Sequence, residues 1–408
     1  MSVLLIGTLD TKGPEFAFVR DRLIAAGIPV RVADASVIGE PTFVPDISRE
    51  ELFAAAGVKF ADVRAAGDRG RAVTLAANGA AKLASKLHRE GQLTGVMGLG
   101  GSAGTTIATA AMRAVPLGVP KLMVSTLASG QVQHYVGTRD VMMMYSVVDI
   151  AGLNRISRIV LANAAAAMAG MHSSFVIRHS SLMDGDTRKT IAATMFGVTT
   201  PCVDAARTVL EAAGYEVLVF HATGTGGRTM EELIRDGLVA GVLDITTTEL
   251  ADELIGGILS AGPDRLTAAA MAGIPQVISV GALDMVNFGP AETIPERFKD
   301  RRFYRHNPTV TLMRTTPEEN DILGKEIAQK ACAARGPTRV ILPLRGVSAI
   351  DAEGKPFWWP EADEALFQSL RNWMYPPELL QEVDAHINDA AFAVSAANTL
   401  LELLRTSP

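Results

Sequence analysis

The chain has 408 residues, too many for one ordinary hydrophobic core and suited to two α/β domains of about 200 residues each. Hydrophobic residues make up 48% and charged residues 20%, which excludes a disordered chain and gives ample material for a buried core. A formal net charge of -6 offers no continuous basic surface for a nucleic-acid backbone, although residues 297–305 form a local basic patch, so no nucleic-acid partner is expected.

Two cysteines, Cys202 and Cys332, fall inside segments that read as helix and suggest neither a disulfide framework nor a Cys-based zinc site. Met1 leads directly into an apolar run with no basic leader, and no apolar stretch is read as reaching the roughly 18 residues of a spanning helix. The expectation is a cytoplasmic protein with no membrane partner.

Short apolar runs alternate with longer helical patterns throughout, as in a buried parallel sheet flanked by helices. The first unit is a strand over 3–6, a polar loop Gly7-Thr8-Leu9-Asp10-Thr11-Lys12-Gly13, a helix over 14–26 closed by Gly27, and a strand over 30–33. In that loop Asp10 is a candidate Mg²⁺ ligand, and Thr11 and Lys12 are candidate phosphate ligands before a helix whose free N–H groups favour anions. The Gly-Lys-Ser/Thr ending of a Walker A loop is absent, and a capped tight turn is the structural alternative.

Residues 38–92 read as an insertion, a Pro-containing loop followed by a helix over 69–89. After the strand at 95–97 comes Gly98-Leu99-Gly100-Gly101-Ser102-Ala103-Gly104-Thr105-Thr106, where Gly98, Gly100 and Ala103 fit the G-x-G-x-x-A dinucleotide fingerprint. The acid expected about 20 positions later is missing, which weakens NAD as the ligand. The loop still offers close backbone approach at Gly98, Gly100 and Gly101 and the hydroxyls of Ser102, Thr105 and Thr106 to phosphate or carboxylate oxygens, a structural glycine turn being the other reading.

Near Thr194 the pattern restarts. Arg20, Leu23, Gly27, Val30 and Ala35 match Arg207, Leu210, Gly214, Val217 and Ala222 at one constant offset, and Gly118-Val119-Pro120 and Gly95-Val96-Met97 have counterparts in Gly273-Ile274-Pro275 and Gly241-Val242-Leu243. The expected fold class is therefore α/β, two tandem Rossmann-like domains related by internal duplication, each a mainly parallel sheet flanked by helices. The boundary is placed near residue 183, giving domains 1–183 and 184–408, the second extended by C-terminal helices over 363–373 and 389–403.

The second half carries His221, Gly224, Gly226, Gly227 and Arg228 directly after a strand, again the makings of an anion site. His221 by itself reads more readily as a satisfied hydrogen-bonding group than as a catalyst. Asp244 and Glu249 flank three consecutive threonines after the next strand and are the best carboxylates for a general base, Asp244 also for a metal. Asp284, Arg302, Tyr304, His306 and Asn307 either line the same cleft or anchor a long loop. Ser348 lacks the glycine context of a hydrolase nucleophile elbow.

The loops 7–13, 98–105, 221–230 and 244–249, taken in order, make the chain resemble a family over nearly all of its length: the ATP-binding N-terminal domain of the tomato mosaic virus resistance protein and its bacterial relatives. The resemblance implies two Rossmann-like subdomains, ATP with Mg²⁺ as ligands, and a homodimer. The plant member's block on a viral replication protein is not expected to transfer, and no counterpart of its C-terminal barrel domain is expected. No reaction comes with the resemblance.

Three functional expectations follow. The first is a nucleotide-binding protein using Asp10, Lys12 and the loop 98–106. The second is an enzyme acting on a small carboxylate or sugar acid, with His221, Asp244 and Glu249 as acid/base groups. The third is a non-catalytic regulatory binding protein.

Overall fold

The structure, a computed structural model, describes residues 1–180 and 188–406. Two compact units, Met1–Gly185 and Asp186–Pro408, divide the chain. The boundary expected near residue 183 lies outside the described residues.

In the first unit the elements run β1 (Ser2–Gly7), α1 (Leu9–Ala25), β2 (Val30–Asp34), α2 (Arg49–Ala55), α3 (Phe60–Ala66), α4 (Arg69–Arg89), β3 (Leu93–Gly100), α5 (Ser102–Arg113), β4 (Lys121–Ser125), α6 (Gln133–Val136), β5 (Met142–Tyr145) and α7 (Arg155–Ser180). Their strands form one parallel sheet in the order β2-β1-β3-β4-β5. Every residue of β1, β3 and β4 is buried because helices cover both faces, which is why these strands read as continuous apolar runs. Successive side chains alternate between the faces. Leu4 and Ile6 join the core under α4 and α5, whereas Val3 and Leu5 join the one built with Phe16 and Val19 of α1 and Leu161 and Met168 of α7. Burying each such side chain contributes roughly 1.5–3 kcal/mol.

The second unit runs β6 (Thr190–Met195), α8 (Thr200–Ala212), β7 (Glu216–His221), α9 (Thr225–Arg235), β8 (Gly241–Thr246), α10 (Thr248–Ile255), α11 (Ala268–Ala272), β9 (Gln276–Gly281), β10 (Met285–Phe288), β11 (Phe303–Asn307), β12 (Val310–Arg314), α12 (Pro317–Cys332), β13 (Thr338–Pro343), α13 (Pro360–Trp373), β14 (Leu380–Val383) and α14 (Ala390–Thr406). Six strands pair in parallel in the order β14-β13-β9-β8-β6-β7, and β10-β12-β11 form a separate antiparallel sheet. The apolar face of α14, with Ala393, Ala397 and Leu400, packs into the core beside Cys202, Val203 and Leu210 of α8.

Both units are α/β with mainly parallel sheets. Gly27 and Gly214, aligned in the sequence repeat, both end a helix with positive φ, 76° and 92°. The orders β2-β1-β3-β4 and β7-β6-β8-β9 also match. Doubly wound sheets share this order generally, so it does not by itself establish the internal duplication.

Three expectations need correction. The polar loop after β1 is mostly helix: α1 starts at Leu9, ahead of Pro14, and breaks helical geometry at Lys12 (φ -133°, ψ 20°). The segment Arg155–Ile177, 23 residues of mean hydropathy 1.4, does reach spanning length and apolarity. Its Leu161, Ala164, Ala165 and Met168 are buried against β1, β3 and α1, so one face of it packs on the core of the first unit, while Ile156, Ile159 and Ile177 are exposed. The insertion holds α2 and α3 as well as the expected α4, whose bounds match the sequence reading.

Candidate functional site

In a parallel sheet of this kind ligands gather beyond the carboxyl ends of the strands. At that end of the first unit a cleft of about 540 Å³ opens between the loops after β1, β2 and β3. It brings together Thr8, Asp10, Thr11 and Lys12 from the first predicted loop and Gly101, Ser102, Ala103 and Gly104 from the second. The insertion supplies the rest of the wall through Ile38, Val63, Arg64, Arg69 and Val73, which the sequence reading did not single out. A larger depression of about 1200 Å³, lined by Arg31, Asp46, Lys82, Lys86 and Gln92, holds none of the predicted residues.

The glycines around α5 have two distinct jobs. A Cβ on Gly98 would lie 2.3 Å from the Cβ of Ala108, and one on Gly100 would lie 3.0 Å from the Cα of Gly104. Gly98 and Gly100 therefore let the helix close on its strand, and neither lines the cleft. Gly101 is different: the nearest atom to a Cβ there is 3.6 Å away, and the residue opens into the cleft. It is the N-cap of α5, and no side chain caps that end. The first amides of α5 thus point their unpaired N–H groups and the positive end of the helix dipole at the cleft.

Of the loop's hydroxyls, Ser102 is exposed in the cleft. Thr105 is a correction: it is fully buried, its Oγ1 donating to the Gly101 carbonyl at 2.7 Å and meeting the Ser125 hydroxyl at 2.7 Å. Thr106 likewise donates to the Ser102 carbonyl at 2.9 Å.

Asp34, at the end of β2, accepts from the Leu9 N–H at 3.2 Å and from the Ser36 N–H at 2.9 Å. This buried carboxylate occupies the N-terminus of α1, so that helix end already has its anion. Asp10 is anchored by its own N–H on the Ser36 hydroxyl at 2.9 Å and by Oδ2, which accepts from the Gly39 N–H at 2.9 Å. Its Oδ1 is buried without a hydrogen-bond partner. The Lys12 ammonium lines the cleft but donates to the Ile150 carbonyl, which takes up one of its three donors. Thr8 and Thr11 share a hydroxyl contact of 2.9 Å.

The predicted residues of the second unit serve another purpose. Gly224 and Gly227, at the start of α9, donate their N–H groups to Glu249 Oε1 at 2.7 and 3.0 Å. A Cβ on Gly227 would fall 2.1 Å from Glu249 Oε2, and one on Gly226 would fall 1.9 Å from the His221 carbonyl oxygen. These glycines let a carboxylate of the chain itself fill the anion position.

Glu249 Oε2 in turn accepts from Arg265 Nε at 2.7 Å, and Asp244 takes the other edge of the same guanidinium at 2.5 and 2.7 Å. Thr194 donates to Asp244 at 2.6 Å. Glu231, 3.5 Å from Arg265, accepts from the Leu266 and Ala268 N–H groups at 2.7 Å each. Burial pushes the Glu231 carboxyl up, against the pull of Arg265. Burial also works against the charge of Arg265, but Asp244 and then Glu249 and Glu231 outweigh it and hold the guanidinium firmly protonated.

Asp244 and Glu249 are engaged in a buried ion cluster, so both carboxylates that were expected as metal-binding or acid/base groups have a structural partner in Arg265. Among the described residues, no group of three or more His, Cys, Asp or Glu side chains is placed to hold a metal ion. His221 and Arg228 are exposed, the histidine ring set edge-on to Phe196 at 5.3 Å. The sequence carries no local sign of Arg265, which lies in a loop 16 residues beyond Glu249.

A second buried network joins the ends of β9 and β13. Ser348 Oγ donates to Asp284 at 2.8 Å, while Arg314 reaches Asp363 at 2.5 Å and Asp351 at 3.6 Å. Burial first, then the Asp351 charge, pushes Asp284 well above the usual carboxylate range, and burial pushes Asp363 up to about 7. The His386 ring meets the Ser348 carbonyl oxygen at 2.9 Å, not its hydroxyl, so these residues do not form a nucleophilic triad. Arg302 donates to the Trp358 carbonyl and Asn307 accepts from Thr309, the anchoring roles that were one of the two readings of this segment.

The model of the uncharacterised protein family UPF0261 N-terminal domain matches residues 1–176, and that of its C-terminal domain matches residues 188–404. A UPF0261 protein of Clostridium tetani is 49% identical over 98% of both chains, and one of Rhizobium meliloti is 48% identical over 97% of both. The tomato mosaic virus resistance protein Tm-1(GCR237) of Solanum lycopersicum is 42% identical over 98% of this chain, which spans 55% of the tomato protein. A UDP-N-acetylglucosamine 2-epimerase of Rickettsia bellii is a distant structural neighbour, with a TM-score of 0.22 and 10% identity over 99% of this chain and 95% of its own. Matched by both domain models and by full-length relatives, the chain belongs to the UPF0261 family.

Proposed function

We propose that the first unit binds a Mg²⁺-nucleotide, ATP foremost, in the cleft between the ends of β1 and β3. One observation carries the reading. The N-termini of α1 and α9 are filled by the chain's own carboxylates, Asp34 and Glu249, whereas the N-terminus of α5 has no side-chain cap and opens into the cleft beside Lys12. Phosphate oxygens are the natural occupants of such a helix end. The volume suits a nucleotide, since small-molecule sites run from about 300 to 1,000 Å³.

Asp10 fits a magnesium ion delivered with the phosphates. It lines the cleft with one buried, unpartnered oxygen, and Mg²⁺ is commonly held by one or two carboxylates together with phosphates and water. The hydroxyls of Thr8, Thr11 and Ser102 border the same space. The nucleoside end lies toward Ile38 and Val73, the apolar part of the wall.

This is a binding function first. The acid/base reading of the second unit has Asp244 and Glu249 engaged by the Arg265 cluster, which leaves the exposed His221 as its remaining candidate for a reaction on a carboxylate or sugar acid. A regulatory binding protein and an ATP-consuming enzyme differ in one readout, the release of ADP or AMP. We take the protein to be cytoplasmic on its sparse cysteine usage and a homodimer as its resemblance to the tomato protein's domain implies, and sedimentation of the purified chain tests the dimer.

Calorimetric titration with ATP and Mg²⁺ tests the binding. Saturable binding weakened by Asp10→Asn and by Gly101→Val supports the reading, and binding indifferent to both variants overturns the site.

A further inference from the structure

The cleft has a feature that binding at the α5 N-terminus does not use. Its outer wall, where α3 ends and α4 begins, carries two guanidinium groups, Arg64 of α3 and Arg69 of α4, in a chain whose overall charge is -6. Beside them Val63 is buried in the core under α4, which fixes the position of this wall.

The two arginines are available to different degrees. Arg69 is exposed and makes no ion pair among the described residues. Arg64 has a side chain 51% exposed and touches Glu40, itself 68% exposed, at 3.3 Å. Ion pairs this exposed are weak. Glu40 would not be stranded by the loss of Arg64, because its stronger partner is Arg49. That residue is held in place by the Gly39 carbonyl and by stacking 4.5 Å over the Phe60 ring.

We propose that Arg64 and Arg69 read the length of the bound nucleotide's phosphate chain, with Arg64 exchanging Glu40 for a terminal phosphate. This rests on the nucleotide reading above. The α5 amides hold the phosphate nearest the sheet, and the guanidinium forks meet the outer phosphates from the opposite wall. Planar donor pairs suit that task better than an ammonium does. A monophosphate, held at α5 alone, gains nothing from the arginines. The insertion is thus the part of the unit that sets selectivity among AMP, ADP and ATP.

The test is calorimetric titration of the full chain with Mg²⁺ and, separately, AMP, ADP, ATP and inorganic tripolyphosphate. Wild type binds in the order ATP, ADP, AMP. Arg64→Ala with Arg69→Ala weakens ATP by at least about tenfold and leaves AMP unchanged. Arg64→Lys with Arg69→Lys recovers part of the loss, and Glu40→Gln tightens ATP by freeing Arg64. Thermal melting matched to wild type shows that the alanine pair is folded.

Equal losses for AMP and ATP, or no loss for either, overturn the inference. Binding of tripolyphosphate without any nucleotide, lost in the alanine pair, refutes the nucleotide reading and upholds the phosphate-reading role. Failure of wild type to bind any of the four probes overturns both.

Discussion

Glu249 accepts a hydrogen bond from the Gly227 N–H at 3.0 Å, so a glycine loop with the composition of an anion site is satisfied from within the protein. The carboxylate does at α9 what a phosphate would do, compensating unpaired amides and the helix dipole. Its charge is balanced by Arg265, which Asp244 also engages. A Gly/Thr-rich loop therefore signals a positive helix end, and the rest of the fold decides whether that end is open to solution.

Glu249→Ala removes one partner of a buried pair and leaves Arg265 and two backbone N–H groups short of an acceptor. Breaking such a pair costs roughly 3–5 kcal/mol. Urea unfolding followed by circular dichroism is expected to show that loss in the transition of the second unit. A variant as stable as wild type but altered in turnover would return Glu249 to a catalytic role.

Gly98 and Gly101 separate packing from binding. Gly98→Ala drives a methyl group to within 2.3 Å of Ala108, and overpacking of this kind costs roughly 1–3 kcal/mol. Gly101 has a φ of -83° and open space at its Cβ position, so Gly101→Ala keeps wild-type stability while obstructing approach to the α5 amides. Thermal melts and ATP titrations of the two variants should therefore diverge in opposite directions.

Asp252 gives the second unit a pH dependence. It is fully buried, accepts from Asn287 Nδ2 at 2.7 Å and from the Leu259 N–H at 3.2 Å, and burial outweighs these bonds to push its carboxyl up to about 7. An unfolded aspartate titrates near 3.9. The folded state thus binds more protons than the unfolded state between about pH 4 and about pH 7, and the contribution of this group to stability falls as pH rises through that window. Urea titrations from pH 5 to pH 8 should show the decline, with a shallower slope in Asp252→Asn. An unchanged slope would place the proton elsewhere.

The fold was legible wherever burial writes itself locally. Apolar runs marked β1, β3 and β4, the apolar periodicity of 69–89 marked α4, and Gly27 and Gly214 marked two helix ends. What was missed depends on residues far apart in sequence. The start of α1 at Leu9 is set by Asp34, 25 residues on, so the local sequence looked like a loop. The antiparallel sheet β10-β12-β11 is built from short strands separated by a long irregular segment, with no regular alternation to announce it.

The candidate site divides the same way. Asp10, Lys12, Gly101 and Ser102 were visible as loop chemistry and do share one cleft. Thr105, Asp244 and Glu249 carry equally suggestive side chains, but their partners Ser125 and Arg265 come from other elements and turn them inward. Arg64 and Arg69 escaped notice because nothing in a helical insertion marks which turn faces a ligand.

The most direct test of the central claim is the stoichiometry of Mg²⁺-ATP binding by calorimetry, measured on wild type and Asp10→Asn side by side. A single site in the α5 cleft predicts one nucleotide per chain, with affinity reduced about tenfold, or about 1.4 kcal/mol, in the variant. Two nucleotides per chain, no binding, or equal affinity in Asp10→Asn would contradict it.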